Sequence, residues 1–203
     1  MIDIIEFSLK FIIEDLFIGF GLSSIILTIL YYAIPNNYFI KVVKKTSYQL
    51  ISLIGIIYLS LIIIHTILSI VLLTDYERYA VINRMFGPYF YFFWLNIIFY
   101  VVITQLFRLE SIRRSTLLIL SLSLMFIFSD QIFNLITHLH LMLYQNNWLM
   151  LRKDNYSAAE MIVGFLIKIL AYSVCVFLFY LITERLKKFS FALNKNKNER
   201  LSA

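Results

Sequence analysis

The sequence predicts an all-α, polytopic membrane protein with five transmembrane helices, its N-terminus outside and its C-terminus inside. Three observations carry that prediction. Only 15% of the 203 residues are charged and 61% are apolar, at a mean hydropathy of +0.83, whereas soluble domains carry about 25% charged residues. The apolar residues are gathered into five continuous blocks, each near the roughly 20 residues that a helix needs to cross a bilayer. Lys and Arg alternate in density from one connection to the next, as the positive-inside rule requires. A β-barrel would instead show short alternating segments, and lipid leaves closed barrels and helices as the only spanning structures.

The blocks lie near residues 11–33, 48–73, 88–107, 116–137 and 159–182, within a single bundle covering 1–183. Residues 1–15 mix Ile and Phe with Asp3, Glu6, Lys10 and Glu14, and read as an outer-surface helix feeding the first span. That acidic start lacks the basic region of a secretory signal, so the first span is expected to stay in the protein. Pro35, Asn36 and Asn37 stop it. The connection at 74–87 is short and mixed in charge, and the one at 108–115 is tight and basic. The longest connection, near 138–157, is amphipathic and carries His138, His140, Tyr144 and Trp148. It reads as an interfacial loop, because amphipathic rings settle at headgroup depth. The basic tail at 184–203 is expected to be solvated and partly disordered on the cytoplasmic or matrix side.

Orientation follows from the cations. Lys41, Lys44, Lys45, Arg108, Arg113, Arg114, Arg185, Lys187, Lys188, Lys195, Lys197 and Arg200 fall on one side, twelve in all, against Lys10, Arg78, Arg84, Arg152 and Lys153 on the other. The richer side is inside. The net charge of +6 is thereby spent on topology, which argues against a nucleic-acid partner. Cys175 is the single cysteine, so this chain alone builds no disulfide, Cys-ligated zinc site or iron–sulfur cluster. The 19 Phe and 14 Tyr are expected at lipid-facing and interfacial positions. With only 5 Gly, tight small-residue helix packing is not expected, and the bundle reads as one wedged against larger membrane subunits.

Asp130 and Lys168 lie inside apolar blocks, where a charge costs about 2.5–3.5 kcal/mol even on the lenient insertion scale. Counted from the outer ends of their spans at about 1.5 Å per residue, they reach a similar depth, as do His65 and Asn96. The four form a predicted intramembrane polar layer, extended by Asn134. Spacing supports it: Asp130, Asn134 and His138 share one helix face, as do Asn96, Tyr100 and Thr104, and Lys168 and Tyr172. Two readings stay open. Asp130 and Lys168 form a buried structural ion pair with His65 and Asn96 as hydrogen-bonding glue, or Asp130 and His65 accept protons beside a quinone pocket or along a proton path. No metal is expected, and His65 has no second histidine at its depth for haem ligation.

Three stretches carry a family resemblance: DYERYAVINRMFGPY at 75–89, FWLNIIFYVVITQLFRLESIRRS at 93–115, and FSDQIFNLITHLHLMLYQNNW at 128–148. They resemble the C-terminal four-helix bundle of the NrfD / polysulfide-reductase membrane-subunit family, and within it the quinol-oxidising membrane subunits of bacterial alternative complex III. The likeness covers about 130 residues. Thr104 stands where the family has proline, Gln131 follows Asp130 where the family tends to have Glu-Arg, and no proline precedes Trp148. The family's N-terminal bundle, which houses its quinol site, has no counterpart. The resemblance implies a split or truncated relative: a subunit without redox centres in a respiratory or other electron-transfer complex, in the bacterial or alternatively the mitochondrial inner membrane. Its partners would be membrane lipids and larger subunits, with no cofactor bound alone and a quinone or lipid at a subunit interface. A purely structural assembly subunit is the alternative, and a small transporter a weaker one, since no pair of broken helices is visible.

Overall fold

The computed structural model describes residues 2–34, 36–87, 90–129, 131–133 and 158–201. Among them every regular element is helical. Helix α1 (Ile2–Phe11) passes through a π-helical segment, Ile12–Phe17, into α2 (Ile18–Ala33). There follow α3 (Tyr38–Leu72), α4 (Asp75–Phe86), α5 (Phe90–Leu106), α6 (Glu110–Arg114), α7 (Thr116–Ile127) and α8 (Ala158–Leu201). Three helices are long and apolar enough to cross a membrane: Ile2–Ala33, Tyr38–Leu72 and Ile162–Lys188. Two shorter apolar helices, Phe93–Leu106 and Thr116–Ile127, correspond to the remaining blocks.

Local chemistry places the helix ends more sharply than hydropathy does. The Asn37 side chain caps α3 by accepting from the Phe39 and Ile40 amides at 2.9 and 3.4 Å, which satisfies two of the orphan donors of a first turn. Helix α3 therefore begins ten residues before the apolar block, and Lys41, Lys44 and Lys45 lie on its first turns rather than in a loop. The connection after Leu73 is also helical. Thr74 and Glu77 form a capping box at the start of α4, and Arg78 reaches back to Asp75 at 3.2 Å. The basic turn at 110–114 is the short helix α6, where Arg114 donates to Glu110 at 2.5 Å. That bond and its charge hold the exposed Glu110 carboxyl below the usual carboxylate range. The tail corrects the expectation of disorder: α8 runs on to Leu201, through a stretch containing neither Gly nor Pro to stop it.

The first helix is the centre of the bundle. Phe17 and Phe20 are fully buried, and α2 packs against α3, α7 and α8. Phe17 stacks on Tyr100 at 4.9 Å and on Phe126 at 5.4 Å, and meets Tyr58 edge-on at 5.5 Å. Phe20 meets Phe107, Tyr172 and Phe126 edge-on at 4.8, 5.6 and 5.7 Å. These Phe and Tyr rings thus form the core, and the lipid-facing assignment holds for exposed ones such as Phe7, Tyr38 and Phe177. Edge-to-face packing explains the preference, because each ring places its positive edge on a neighbour's negative face.

Small residues are few but sit at the helix crossings. A Cβ on Gly19 would clash with the Lys168 carbonyl of α8, one on Gly21 would lie 2.7 Å from the Ser123 carbonyl of α7, and one on Gly55 would clash with Thr104 of α5. Ser23, Ser24, Thr28, Ser47, Ser52, Thr104 and Ser123 are buried beside them. Tight small-residue packing, unexpected from the glycine count, is therefore present because three glycines and these hydroxyl residues share the contact faces. Tyr172 closes the crossing of α3 and α8, donating to the Ser47 carbonyl at 2.9 Å with the Ser47 hydroxyl 3.0 Å away.

Candidate functional site

His65 and Asn96, predicted to share a depth on neighbouring spans, line one cavity of about 510 Å³. Helix α3 supplies Tyr58, Ile62, His65 and Thr66; α5 supplies Phe93, Asn96 and Ile97; α4 supplies Asn83 and Arg84; and α1 closes it with Leu9. The positions follow from helical spacing. Tyr58, Ile62 and His65 lie on one face of α3 at intervals of four and three. Tyr58, which lines the cavity, meets Phe17 edge-on, so the aromatic core borders the cavity on that side. Arg84 and Asn83 arrive because α4 folds back at Leu73 and Thr74 onto α3. The Trp94 indole then ties α5 to α4 by donating to the Met85 carbonyl at 3.1 Å.

His65 Nε2 lies 3.2 Å from Glu6 Oε1 of α1. The imidazole is 26% exposed and the carboxylate 61%, so the pair joins the cavity wall to the surface. The carboxylate beside one ring nitrogen fixes the ring's orientation. Asn96 and Asn83 add neutral donors and acceptors, and Arg84 a fixed positive charge. Among the described residues no group of three or more His, Cys, Asp or Glu is placed to hold a metal ion.

Lys168 goes elsewhere. Its Nζ donates to the Glu14 carbonyl at 2.6 Å, inside the π-helical segment. The Lys168 backbone packs against Gly19, beyond Phe17 from the His65 cavity. Along the first helix, Glu6 and Glu14 are separated by about 12 Å of rise. The predicted layer is thus resolved into two levels, His65 with Asn96 at one and Lys168 at the other. Counting from apolar-block ends assumes spans that start in one plane, and α8 is displaced along the first helix. Asp130, Asn134, His138, His140 and Trp148 lie outside the described residues, and with them the proposed Asp130–Lys168 pair and the interfacial loop.

Glu6, Asn83 and Arg84 were not singled out by sequence reasoning. Glu6 was masked by the surface reading of the first fifteen residues, although it is the acid nearest Leu9 on the cavity side. Asn83 and Arg84 stand in the stretch INRMFGPY, which attracts notice only as a family-like motif. A second polar cluster, at the far end of α5, has no counterpart in the sequence reading. Arg108 Nε donates to the Ser52 hydroxyl at 2.6 Å, that hydroxyl donates to Gln105 Oε1 at 3.2 Å, and Gln105 Nε2 returns to the Ser52 carbonyl at 3.0 Å. This network locks α3 to α5 at the end opposite the His65 cavity. No family model, no curated protein and no solved structure matches the chain.

Proposed function

We propose that this chain is a five-span integral membrane subunit, N-terminus outside, which works within a larger membrane-bound electron-transfer assembly. In this reading the His65 cavity is its proton-handling, quinone-facing site. The observation that carries the proposal is the convergence of His65, Asn96 and Arg84 on one cavity of about 510 Å³, with Glu6 against His65 at its edge. The size lies within the range of small-molecule sites, and the sequence reaches the same region independently. Asn83 and Arg84 belong to the first stretch resembling the polysulfide-reductase membrane subunits, and Asn96 to the second. Orientation is supported by the cation asymmetry, and five spans by the two shorter apolar helices beside the three long ones.

Mechanistically, a quinol head at this cavity loses two electrons to a partner's redox centre and two protons to the protein. His65 takes one proton as a general base and Glu6 carries it to the surface, while Asn96 and Arg84 orient the head oxygens. Asp130 remains a second proton acceptor in this proposal. The test uses the intact assembly from native membranes. His65→Gln is expected to lower quinol-dependent turnover about 10²-fold with assembly unchanged, and Asp130→Asn to lower it as well. Wild-type turnover in an assembled His65→Gln complex would sink the catalytic reading.

The structural alternative also has an observation in its favour. Ile162, Leu166, Leu170 and Leu178 of α8 are 52–68% exposed, an apolar surface suited to lipid or a partner helix. Loss of the complex on substituting Asp130, rescued by neutralising Lys168, would favour that role.

A further inference from the structure

Helix α4 joins α3 to α5, yet its outward side is apolar. Tyr76, Tyr79 and Phe86 are 70–85% exposed and Ile82 is 40% exposed. At intervals of three, three and four residues they fall on one helix face. Val81 and Met85, four apart, are partly buried on a second side, and the exposed Glu77 and Arg84, seven apart, share a third.

The helix runs back along the bundle rather than away from it. Only Leu73 and Thr74 separate it from α3, and Arg78 reaches across that break to donate to the Leu73 carbonyl at 3.4 Å. The far end of α4 meets α3 well before the break, since Asn83 and Arg84 share a cavity with Ile62 and His65. His65 lies eight residues before Leu73 and Asn83 eight after Asp75, so the two helices run antiparallel over the same rise of roughly 12 Å.

A helix that ends inside a bilayer needs its last carbonyls satisfied without water. Here the bundle satisfies them. The Asn83 carbonyl accepts from the Gly87 amide at 2.8 Å, the Met85 carbonyl from the Trp94 indole at 3.1 Å, and the Gly87 carbonyl from the Phe90 amide at 3.1 Å. A Cβ at Gly87 would clash with Asn83, so the close reversal requires glycine. Polarity is graded along the helix in the same sense. Asp75 and Glu77 stand at its start, the hydroxyl-bearing Tyr76 and Tyr79 with them or one turn on, and Ile82 and Phe86 at its end. The polar Asn83 and Arg84 at that end line the cavity.

From these features we infer that α4 is a re-entrant membrane helix. It enters the bilayer beside the C-terminal end of α3 and turns back inside it, with its aromatic face against lipid acyl chains. Lipid is the occupant because the face is level with the apolar surface of α3, where Ile63, Ile67 and Leu72 are 51–57% exposed. The gradient from acids through tyrosines to Phe86 follows the bilayer normal, with the phenol hydroxyls at headgroup depth. A helix lying flat in the interface keeps its polar and apolar faces along its whole length and has no such gradient. The inference rests on α3 crossing the membrane and not on the His65 reading.

The experiment attaches a nitroxide to Tyr76→Cys, Tyr79→Cys or Phe86→Cys, one at a time, in the full-length chain carrying Cys175→Ala. Each variant is reconstituted into phosphatidylcholine vesicles, and its helicity is checked by circular dichroism. Collision of the label with oxygen, which concentrates among acyl chains, is compared with collision with a nickel chelate, which stays in water. The label at position 86 is expected to lie deepest, about 15 Å below the one at 76, the rise of ten residues, with position 79 between them. A label on Ile67→Cys of α3 is the reference, and should be open to oxygen and shielded from nickel. Equal depth at the three α4 positions overturns the inference, since the helix would then lie flat or stand in water. Shielding of all three from both reagents also overturns it, and assigns the face to a protein contact. A nickel-accessible label at position 67 does so too, because the end of α3 would then stand outside the bilayer.

Discussion

Phe20→Ala is expected to destabilise the bundle by about 2–3 kcal/mol, below the roughly 3–5 kcal/mol of Phe-to-Ala changes in water-soluble cores. Phe20 is fully buried and touches Tyr48 of α3, Phe126 of α7, Tyr172 of α8 and Phe107 in the turn after α5. In a bilayer the transfer part of the usual penalty is small, since lipid chains are as apolar as the core. What remains is the cavity and the lost edge-to-face contacts, each worth about 0.5–1.5 kcal/mol. The rings around the site are held from both sides and cannot collapse into the gap. The measurement is the midpoint of SDS-induced unfolding in mixed micelles, with Phe7→Ala as reference. Phe7 is 73% exposed, and its variant should stay within about 0.5 kcal/mol of the parent. Equal midpoints for the two variants would remove the first helix from the centre of the fold.

Gly19→Ala and Gly164→Ala should change stability in opposite directions. At Gly19 a methyl group meets the Lys168 carbonyl and comes within 3.0 Å of Tyr172 Cβ. Backbone cannot rotate away as a side chain can, so α8 must retreat. The overpacking cost is about 1–3 kcal/mol. Retreat also strains the Lys168 bond to Glu14 of the π-helical segment and the Tyr172 bond to Ser47 of α3. At Gly164 nothing lies within 4 Å of the added carbon, and Ala gains about 0.5–1 kcal/mol from helix propensity. The same SDS titration reads both variants. A Gly19→Ala midpoint at or above the parent would mean that α8 does not pack there.

These two experiments probe a part of the fold that hydropathy leaves open. Amphipathic spacing identified the faces of individual helices: Tyr100 and Thr104, one turn apart on α5, are both buried, and Tyr172 is buried on the face it shares with Lys168. It also paired His65 with Asn96, since both lie near the same ends of antiparallel spans. Spacing did not reveal the partner of Lys168. The displacement of α8 along α1 and α2 follows from the close approach at Gly19, a contact between residues far apart in the chain. The π-helical segment, which presents the Glu14 carbonyl to Lys168, had no sequence signature, because its residues Ile-Ile-Glu-Asp-Leu-Phe read as an ordinary helix.

The least apolar of the three long helices is the most buried, the reverse of what a hydropathy ranking suggests. Lipid solvates apolar side chains well, so exposure costs them little. The central place goes to the helix with glycines and hydroxyls that let neighbouring backbones approach, and with the rings that fill the remaining space. By itself the sequence determined that the chain is helical and membrane-embedded, where its cations gather, and which residues share a helix face, because these follow from local periodicity and from the chemistry of lipid and water. Only the tertiary structure decided that the first helix is the core, that His65 meets Glu6 beside Asn96, and that Lys168 is bound to a backbone carbonyl. Each of those depends on how far one helix slides along another, which is set by close packing between distant residues.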